Sequence, residues 1–486
     1  MIKGQLLFYM LFFNCFFIEG RDFNNLMKVD TSEARMHLES GNTFLKSKLY
    51  ENAVDEYTLA IQYNEKYSIA YRLRGRCYYK LKSYTSALAD FNKSIAHGEK
   101  KDEYFSMEIV WVKVELQNYN GAIEDLNKII SKNPFYGSAY SQRAYIYHAF
   151  LGENEVAIVD YNKAIELDTT KYTPYLNRGI LKYKMGDYSG ALFDLNKTLS
   201  LNSNLVAAYY NRGMAKMKMN NLKDAEIDFK EGIKFASSNS YYGLGLLRSI
   251  QNQYSEAIFY FNKAIELSPD FTSVYFNRGK VKASLNDKKG AIEDMNMVIS
   301  MDTVNEEAYY IRAIMKDKDI KDLTKAININ SRYKEAYEAR GRAYIEYPDY
   351  IPFAIDDFST LIQLTKDSIS SYYYERSSLY WVLGDTLKAI EDINKALTID
   401  TVSYYFYSRG FYYSHEASKK YWALSDYNKA LEIDKNFGDA YYLRGLLKNE
   451  LKDDKGGCED MSKANKLNVK LAQEKLKEWK LVKICR

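Results

Sequence analysis

Residues 172–201 read YTPYLNRGILKYKMGDYSGALFDLNKTLSL, and this stretch decides the fold. Tyr175, Gly179 and Leu181-Lys182-Tyr183 belong to one amphipathic helix. Ala191, Leu195 and Thr198 follow at i, i+4 and i+7 on a second. Gly186-Asp187 between them is a turn pair. The stretch therefore predicts a helix hairpin, which cannot bury its apolar face alone and must stack on copies of itself.

The copies are present. Ala191 belongs to a series, Ala53, Ala87, Ala122, Ala157, Ala191, Ala225, Ala257 and Ala291, whose members lie 32 to 35 residues apart. After a gap of 63 the series resumes with Ala354, Ala389 and Ala423, and Gly457 closes it. A glycine stands twelve residues ahead of many of these, as at Gly41, Gly75, Gly213, Gly245, Gly279 and Gly445. The gap predicts one shortened hairpin, opened by Tyr309 and Ala313 and closed by Leu323 and Ala326. Beyond Leu467, residues 469–484 read as a single last helix with Leu471, Leu476, Trp479 and Leu481 as its apolar positions.

The pattern resembles the tetratricopeptide repeat: an aromatic at position 4, Gly at 8, Tyr at 11, Ala at 20, Phe at 24 and Ala at 27. Tyr71, Gly75, Tyr78, Ala87 and Phe91 fill those places in one copy, with Ser94 in the last. Another copy has Gly245, Ala257, Phe261 and Ala264, followed by Pro269. The resemblance implies an all-α fold, an α-solenoid wound as a right-handed superhelix of about thirteen hairpins with a C-terminal capping helix. The expected organisation is a signal peptide or anchor over 1–20, a linker over 21–33, the array over 34–467 and the cap over 468–486.

One feature goes beyond the repeat pattern. Ten copies carry Arg at or beside position 7 together with Asp at the place equivalent to 23. The pairs are Arg74–Asp90, Arg143–Asp160, Arg178–Asp194, Arg212–Asp228, Arg278–Asp294, Arg312–Asp322, Arg340–Asp357, Arg376–Asp392, Arg409–Asp426 and Arg444–Asp460. Their joint occurrence predicts an ion pair joining the two helices of each hairpin, the Arg fork gripping the carboxylate. Leu244 with Tyr260 lacks both charges, Ser40 with Glu56 keeps one, and Ile109 with Asp125 strands an acid.

Function is read by elimination and by the resemblance. The 68 basic and 64 acidic residues leave +4, with the signs mixed along the chain and no basic stripe for nucleic acid. His37, His97, His148 and His415 fall in different copies without metal-ligand spacing, and no Cys-x-x-Cys or phosphate-cradling loop occurs. No catalysis, metal or cofactor is expected. The resemblance implies that first helices line the concave face, with position 5 among the residues turned to it. That position is Tyr210, Tyr242, Phe276, Tyr310, Tyr374, Tyr407 and Tyr442, with Glu338 interrupting. Two readings stand: an aromatic ladder that binds a partner, or rings that pack on the next helix. The first gives a non-catalytic scaffold holding an extended peptide or a partner helix. The alternatives are a substrate-selecting subunit of an enzyme complex and a self-assembling spacer.

At the N-terminus, Lys3 precedes an apolar run from Leu6 to Ile18, too short for the ~20 residues of a membrane span. It reads as a signal peptide ending near Gly20, which implies export to the periplasm, the cell envelope or the medium. Membrane association would then involve the N-terminus only; a cytoplasmic location is the alternative. Cys458 and Cys485 lie where two ends of an antiparallel pair meet, and export would let them form a disulfide. Asn92-Lys93-Ser94 and Asn196-Lys197-Thr198 match glycosylation sequons but fall in second helices, as accidents of a recurrent Asn-Lys pair.

Overall fold

The computed structural model describes residues 32–481. The apolar N-terminal run and Cys485 lie outside the described residues. Two compact units divide the chain, one up to Phe271 and one from Thr272. The first holds seven helix hairpins: α1 (Ser32–Lys46) with α2 (Tyr50–Tyr63), α3 (Ser68–Lys80) with α4 (Tyr84–Ala96), α5 (Glu103–Glu115) with α6 (Tyr119–Lys132), and α7 (Gly137–Ile146) with α8 (Asn154–Leu167). They continue with α9 (Tyr172–Lys184) and α10 (Tyr188–Leu201), α11 (Val206–Lys218) and α12 (Leu222–Ile233), and α13 (Ser238–Ile250) and α14 (Tyr254–Leu267).

The second unit holds six hairpins and one further helix. These are α15 (Thr272–Ser284) with α16 (Lys288–Met301), α17 (Glu306–Met315) with α18 (Ile320–Ile329), and α19 (Lys334–Ile345) with α20 (Ile351–Leu364). Then come α21 (Ser370–Val382) with α22 (Thr386–Ile399), α23 (Ser403–Ser414) with α24 (Lys420–Ile433), α25 (Gly438–Glu450) with α26 (Asp454–Lys466), and finally α27 (Lys470–Leu481). No strand occurs among the described residues. The all-α solenoid class is thus observed, and the shortened hairpin is α17–α18, with ten residues in each helix.

The local sequence explains the hairpins. Most first helices are followed by a residue in the left-handed region; Gly186 (φ 86°), Asn220 (φ 60°) and Asn286 (φ 58°) are types that tolerate it, while Lys48, Lys82 and Gln117 adopt it too. Asp187 then caps α10 by accepting from the Gly190 amide at 2.8 Å. Within a hairpin the small residues permit close approach: a Cβ on Gly213 would sit 2.5 Å from the Phe229 ring. That ring is fully buried, and Gly243 of the next hairpin approaches the same ring atoms. Cores therefore bridge successive hairpins, as where Ala144 of α7, Ala157 and Tyr161 of α8 and Leu181 of α9 pack together.

The last helix closes the array by burying Ala472 and Trp479 against Met461 and Ala464 of α26. Leu471, expected among its apolar positions, is 58% exposed instead. At that first position the helix turns the smaller Ala472 inward, while Leu476 and Trp479 pack into the core as expected.

Candidate functional site

All ten Arg–Asp pairs form, and each is bidentate. In α11–α12, Arg212 donates from Nε and Nη2 to the two Asp228 oxygens at 3.0 and 2.6 Å. In α19–α20, Arg340 reaches Asp357 at 2.9 and 2.7 Å. The shortened hairpin keeps its rung, Arg312 meeting Asp322 at 2.7 and 2.6 Å across a shorter turn. The aspartates are buried. The aromatic at position 4 lies beside each guanidinium, as Tyr209 does with Arg212 at 5.7 Å and Phe406 with Arg409 at 5.5 Å.

The third guanidinium nitrogen reaches out of the hairpin. Arg212 Nη1 donates to Asn196 of the preceding second helix at 2.8 Å. Arg143, Arg409 and Arg444 do the same with Asn127, Asn394 and Asn428. Thr58, Thr324 and Ser359 take the part for Arg74, Arg340 and Arg376. The Asn of the recurrent Asn-Lys pair is therefore a structural acceptor that ties one hairpin to the next. The signal was a fixed interval of 15 or 16 residues from that Asn to the following Arg.

In each of the three exceptions a basic side chain one helical turn away meets a carboxylate. Lys113 takes the stranded Asp125 at 2.6 Å. His37 meets Glu56 at 2.7 Å. Arg248, four residues past Leu244, pairs with Glu226 at 2.7 Å and Glu256 at 2.8 Å, and with Lys230 it pulls the Glu226 carboxyl down to about 2.

The residue four places after each Arg divides the rungs into two kinds. Lys182, Lys216, Lys282, Lys316 and Lys448 give the same aspartate a second cation, at 2.9 Å for Lys182 with Asp194 and 3.3 Å for Lys316 with Asp322. Elsewhere the place holds a tyrosine ring, as with Tyr344 beside Arg340 and Tyr380 beside Arg376. Two of these carboxyls, Asp322 and Asp357, respond in opposite directions. Burial pushes Asp322 up, but Arg312 and Lys316 overcome it and hold it below its ordinary range. At Asp357 burial wins against Arg340 alone, with Asp356 adding to it, and the carboxyl is raised.

The position-5 aromatics are all half-buried. In the first unit, Tyr242 packs on Phe261 at 6.1 Å and Phe271 at 5.1 Å, and burial, with Tyr183 beside it, pushes its phenol up to about 12. Tyr210 lies against Phe229 at 6.2 Å, and burial likewise raises its phenol. In the second unit, Lys280 sits 5.2 Å over the Phe276 ring, Tyr310 packs on Tyr333 at 5.2 Å, and Tyr407 on Phe437 at 4.8 Å. Tyr374 meets Tyr404 and Tyr405, both at 5.3 Å, while Tyr442 joins the cluster around Trp479. The rings thus serve packing and still keep part of their surface open. Phe271, Tyr333 and Phe437 all come from the link that follows the tyrosine's own hairpin. They were missed because only helix positions repeat visibly.

Chemistry-bearing groups are scattered. Among the described residues no group of three His, Cys, Asp or Glu could hold a metal ion. Cys77 is buried and free, its thiol pushed up to about 12 by burial. Cys458 is disulfide-bonded, while Cys485, its expected partner, lies outside the described residues. No described helix is long and apolar enough to cross a membrane.

Comparison with known proteins agrees with this architecture. Models of the tetratricopeptide repeat match residues 38–101, 137–171, 206–239, 238–271 and 370–402. The TPR repeat-containing protein MJ1428 of Methanocaldococcus jannaschii is 26% identical over 180 residues, 34% of this chain and 31% of its own length. Human tetratricopeptide repeat protein 6 is 27% identical over 195 residues, 40% of this chain and 32% of its own. The match spans under a third of either relative. Among solved structures, a tetratricopeptide repeat protein from Parabacteroides merdae covers 52% of this chain and 100% of its own at 18% identity and TM-score 0.44. The APC/C hetero-tetramer Cut9–Hcn1 covers 93% and 91% at 14% identity and TM-score 0.43.

Proposed function

Because the chain is a tetratricopeptide repeat protein, we propose that it is a protein-interaction scaffold whose first helices receive an extended peptide or a partner helix. The observation that carries this reading is the row of half-buried rings at position 5, Tyr210 and Tyr242 in one unit and Tyr310, Tyr374 and Tyr407 in the other. Tyr offers large contact area with few rotatable bonds and one polar tip, which suits an adaptable binding face. The ten rungs supply the rigidity such a face needs, since each arginine fixes its own hairpin and most reach the one before. The same reading places the protein outside the cytoplasm, on the charge of Lys3 and the apolar run from Leu6 to Ile18.

The test is paired capture with mass spectrometry, using the full chain and two variants checked by circular dichroism. One variant carries Tyr210→Ala and Tyr242→Ala; the other carries Tyr310→Ala and Tyr407→Ala. A protein captured by the parent and lost by either folded variant supports the reading and assigns the partner to that unit's face. Equal capture by all three moves binding elsewhere and leaves the rings as packing.

A further inference from the structure

The first helices of the second unit differ in charge from α7, α9, α11 and α13 of the first, although α1 and α5 of the first unit do carry Glu33, Glu39, Glu103, Glu108 and Glu115. In the first unit, α7, α9, α11 and α13 contain no Asp or Glu at all. In the second, α17, α19, α21 and α25 bring Glu306, Glu307, Glu335, Glu338, Glu375, Asp439 and Glu450, the last paired with Lys420 at 2.9 Å. The cations on those helices that stand outside the rungs are Lys334 and Arg342.

Contacts between successive first helices identify the face these groups share. Arg342 of α19 reaches Glu375 of α21 at 3.8 Å, and Tyr372 of α21 donates to Glu338 of α19 at 3.2 Å. Tyr374 of α21 meets Tyr404 of α23 at 5.3 Å, and Trp381 meets Phe411 at 5.5 Å. Tyr404 is 45% exposed and lies against Tyr407 at 5.6 Å. Burial raises the Tyr407 phenol, with the charge of Asp439 adding to it. Glu335 and Asp439 have no ion pair among the described residues.

On this arrangement we propose that the aromatic inner face formed by α19, α21, α23 and α25 binds an extended peptide rich in lysine and arginine. The proposal rests on the scaffold reading and names the partner's chemistry. Aromatic faces and carboxylates both attract a cation, and a desolvated cation over a ring gains more than an exposed one. The chain supplies its own example in Arg342, held by Glu338 at 3.0 Å and Glu375 at 3.8 Å on this same face. Burial already raises the Glu375 carboxyl against the pull of Arg342, with Glu338 adding to it, so further positive charge is favoured there. The chain's net charge of +4 cannot supply the attraction, so selectivity for cations has to be local.

Fluorescence anisotropy on the full chain tests this with two labelled dodecapeptides, one alternating Lys and Ala, the other Glu and Ala. The lysine peptide is expected to bind at least about tenfold more tightly, and to weaken with salt. The double variant Glu335→Gln with Asp439→Asn should lose about tenfold, and Tyr404→Ala about threefold. A control, Glu391→Gln with Glu459→Gln on the exposed side of second helices, should bind as the parent does. Equal binding of the two peptides, or an equal loss in the control, overturns the assignment. If the lysine peptide fails while captured protein still depends on Tyr210 and Tyr242, only the cationic partner falls. If neither is seen, the scaffold reading falls with it.

Discussion

Hairpins α17–α18 and α19–α20 are neighbours in sequence, carry the same bidentate Arg–Asp rung, and hold their aspartates in opposite states. Asp322 has two cations, Arg312 and Lys316, and is depressed; Asp357 has Arg340 and the ring of Tyr344, and is raised. Hydrogen-bond geometry is nearly identical in the two. In this pair, the forked hydrogen bond alone does not offset the desolvation of Asp357, whereas a second positive charge does so for Asp322.

The comparison breaks most visibly if the single cation is removed. Arg340→Met leaves Asp357 buried without a partner and should cost about 3–5 kcal/mol. Arg312→Met leaves Lys316 on Asp322 and should cost about 1–2 kcal/mol. Amide hydrogen exchange across residues 306–329 and 334–364 reads each hairpin separately, which a solenoid requires because its hairpins open locally. Equal losses would mean that the lysine contributes nothing.

A subtler distinction lies in pH. The depressed Asp322 contributes stability that is complete above the unfolded value of about 3.9 and is lost as pH falls through its lower folded value. The raised Asp357 binds its proton more tightly when folded, so stability grows as pH falls through the folded value towards about 3.9. Relative to the parent, the deficit of Asp322→Asn should therefore shrink on acidification and that of Asp357→Asn should grow. Denaturant melts at neutral and acid pH measure both slopes, and slopes of the same sign refute the two-cation account.

The smallest expected effect concerns the tie between hairpins. Asn196→Ala removes the acceptor of Arg212 Nη1 and leaves the Asp228 rung in place, so the cost should be about 0.5–1 kcal/mol. Exchange should quicken at the α10–α11 junction with little change inside α11–α12. A uniform loss through α11–α12 would show that Asn196 supports the rung itself.

The rungs were legible in the sequence because Arg and Asp come and go together, and co-occurrence survives changes in helix length, as Arg312 and Asp322 show. The Asn ties were visible only as a recurrent Asn-Lys pair, since their partner stands in the next copy and the pairing needs two hairpins stacked. Lys113, His37 and Arg248 were illegible for a similar reason. A basic side chain displaced by one turn still reaches a carboxylate, the expected one for Lys113 and His37 and different ones for Arg248, but leaves the column where it was sought. The position-5 rings could not be divided between packing and binding from their spacing, because both roles demand a large aromatic at the same helix position.

What the amino-acid sequence determined by itself is the repeat, the hairpin and the charge pairing. Small residues at fixed intervals dictate how closely two helices approach, and that is a local matter. Tertiary structure alone decided which carboxylates feel one cation or two, and which rings keep an open face. It also decided that Glu338 of α19 and Glu375 of α21 meet around the one Arg342 guanidinium. These depend on distances between separate helices and on the water excluded between them, and no spacing along the chain encodes either.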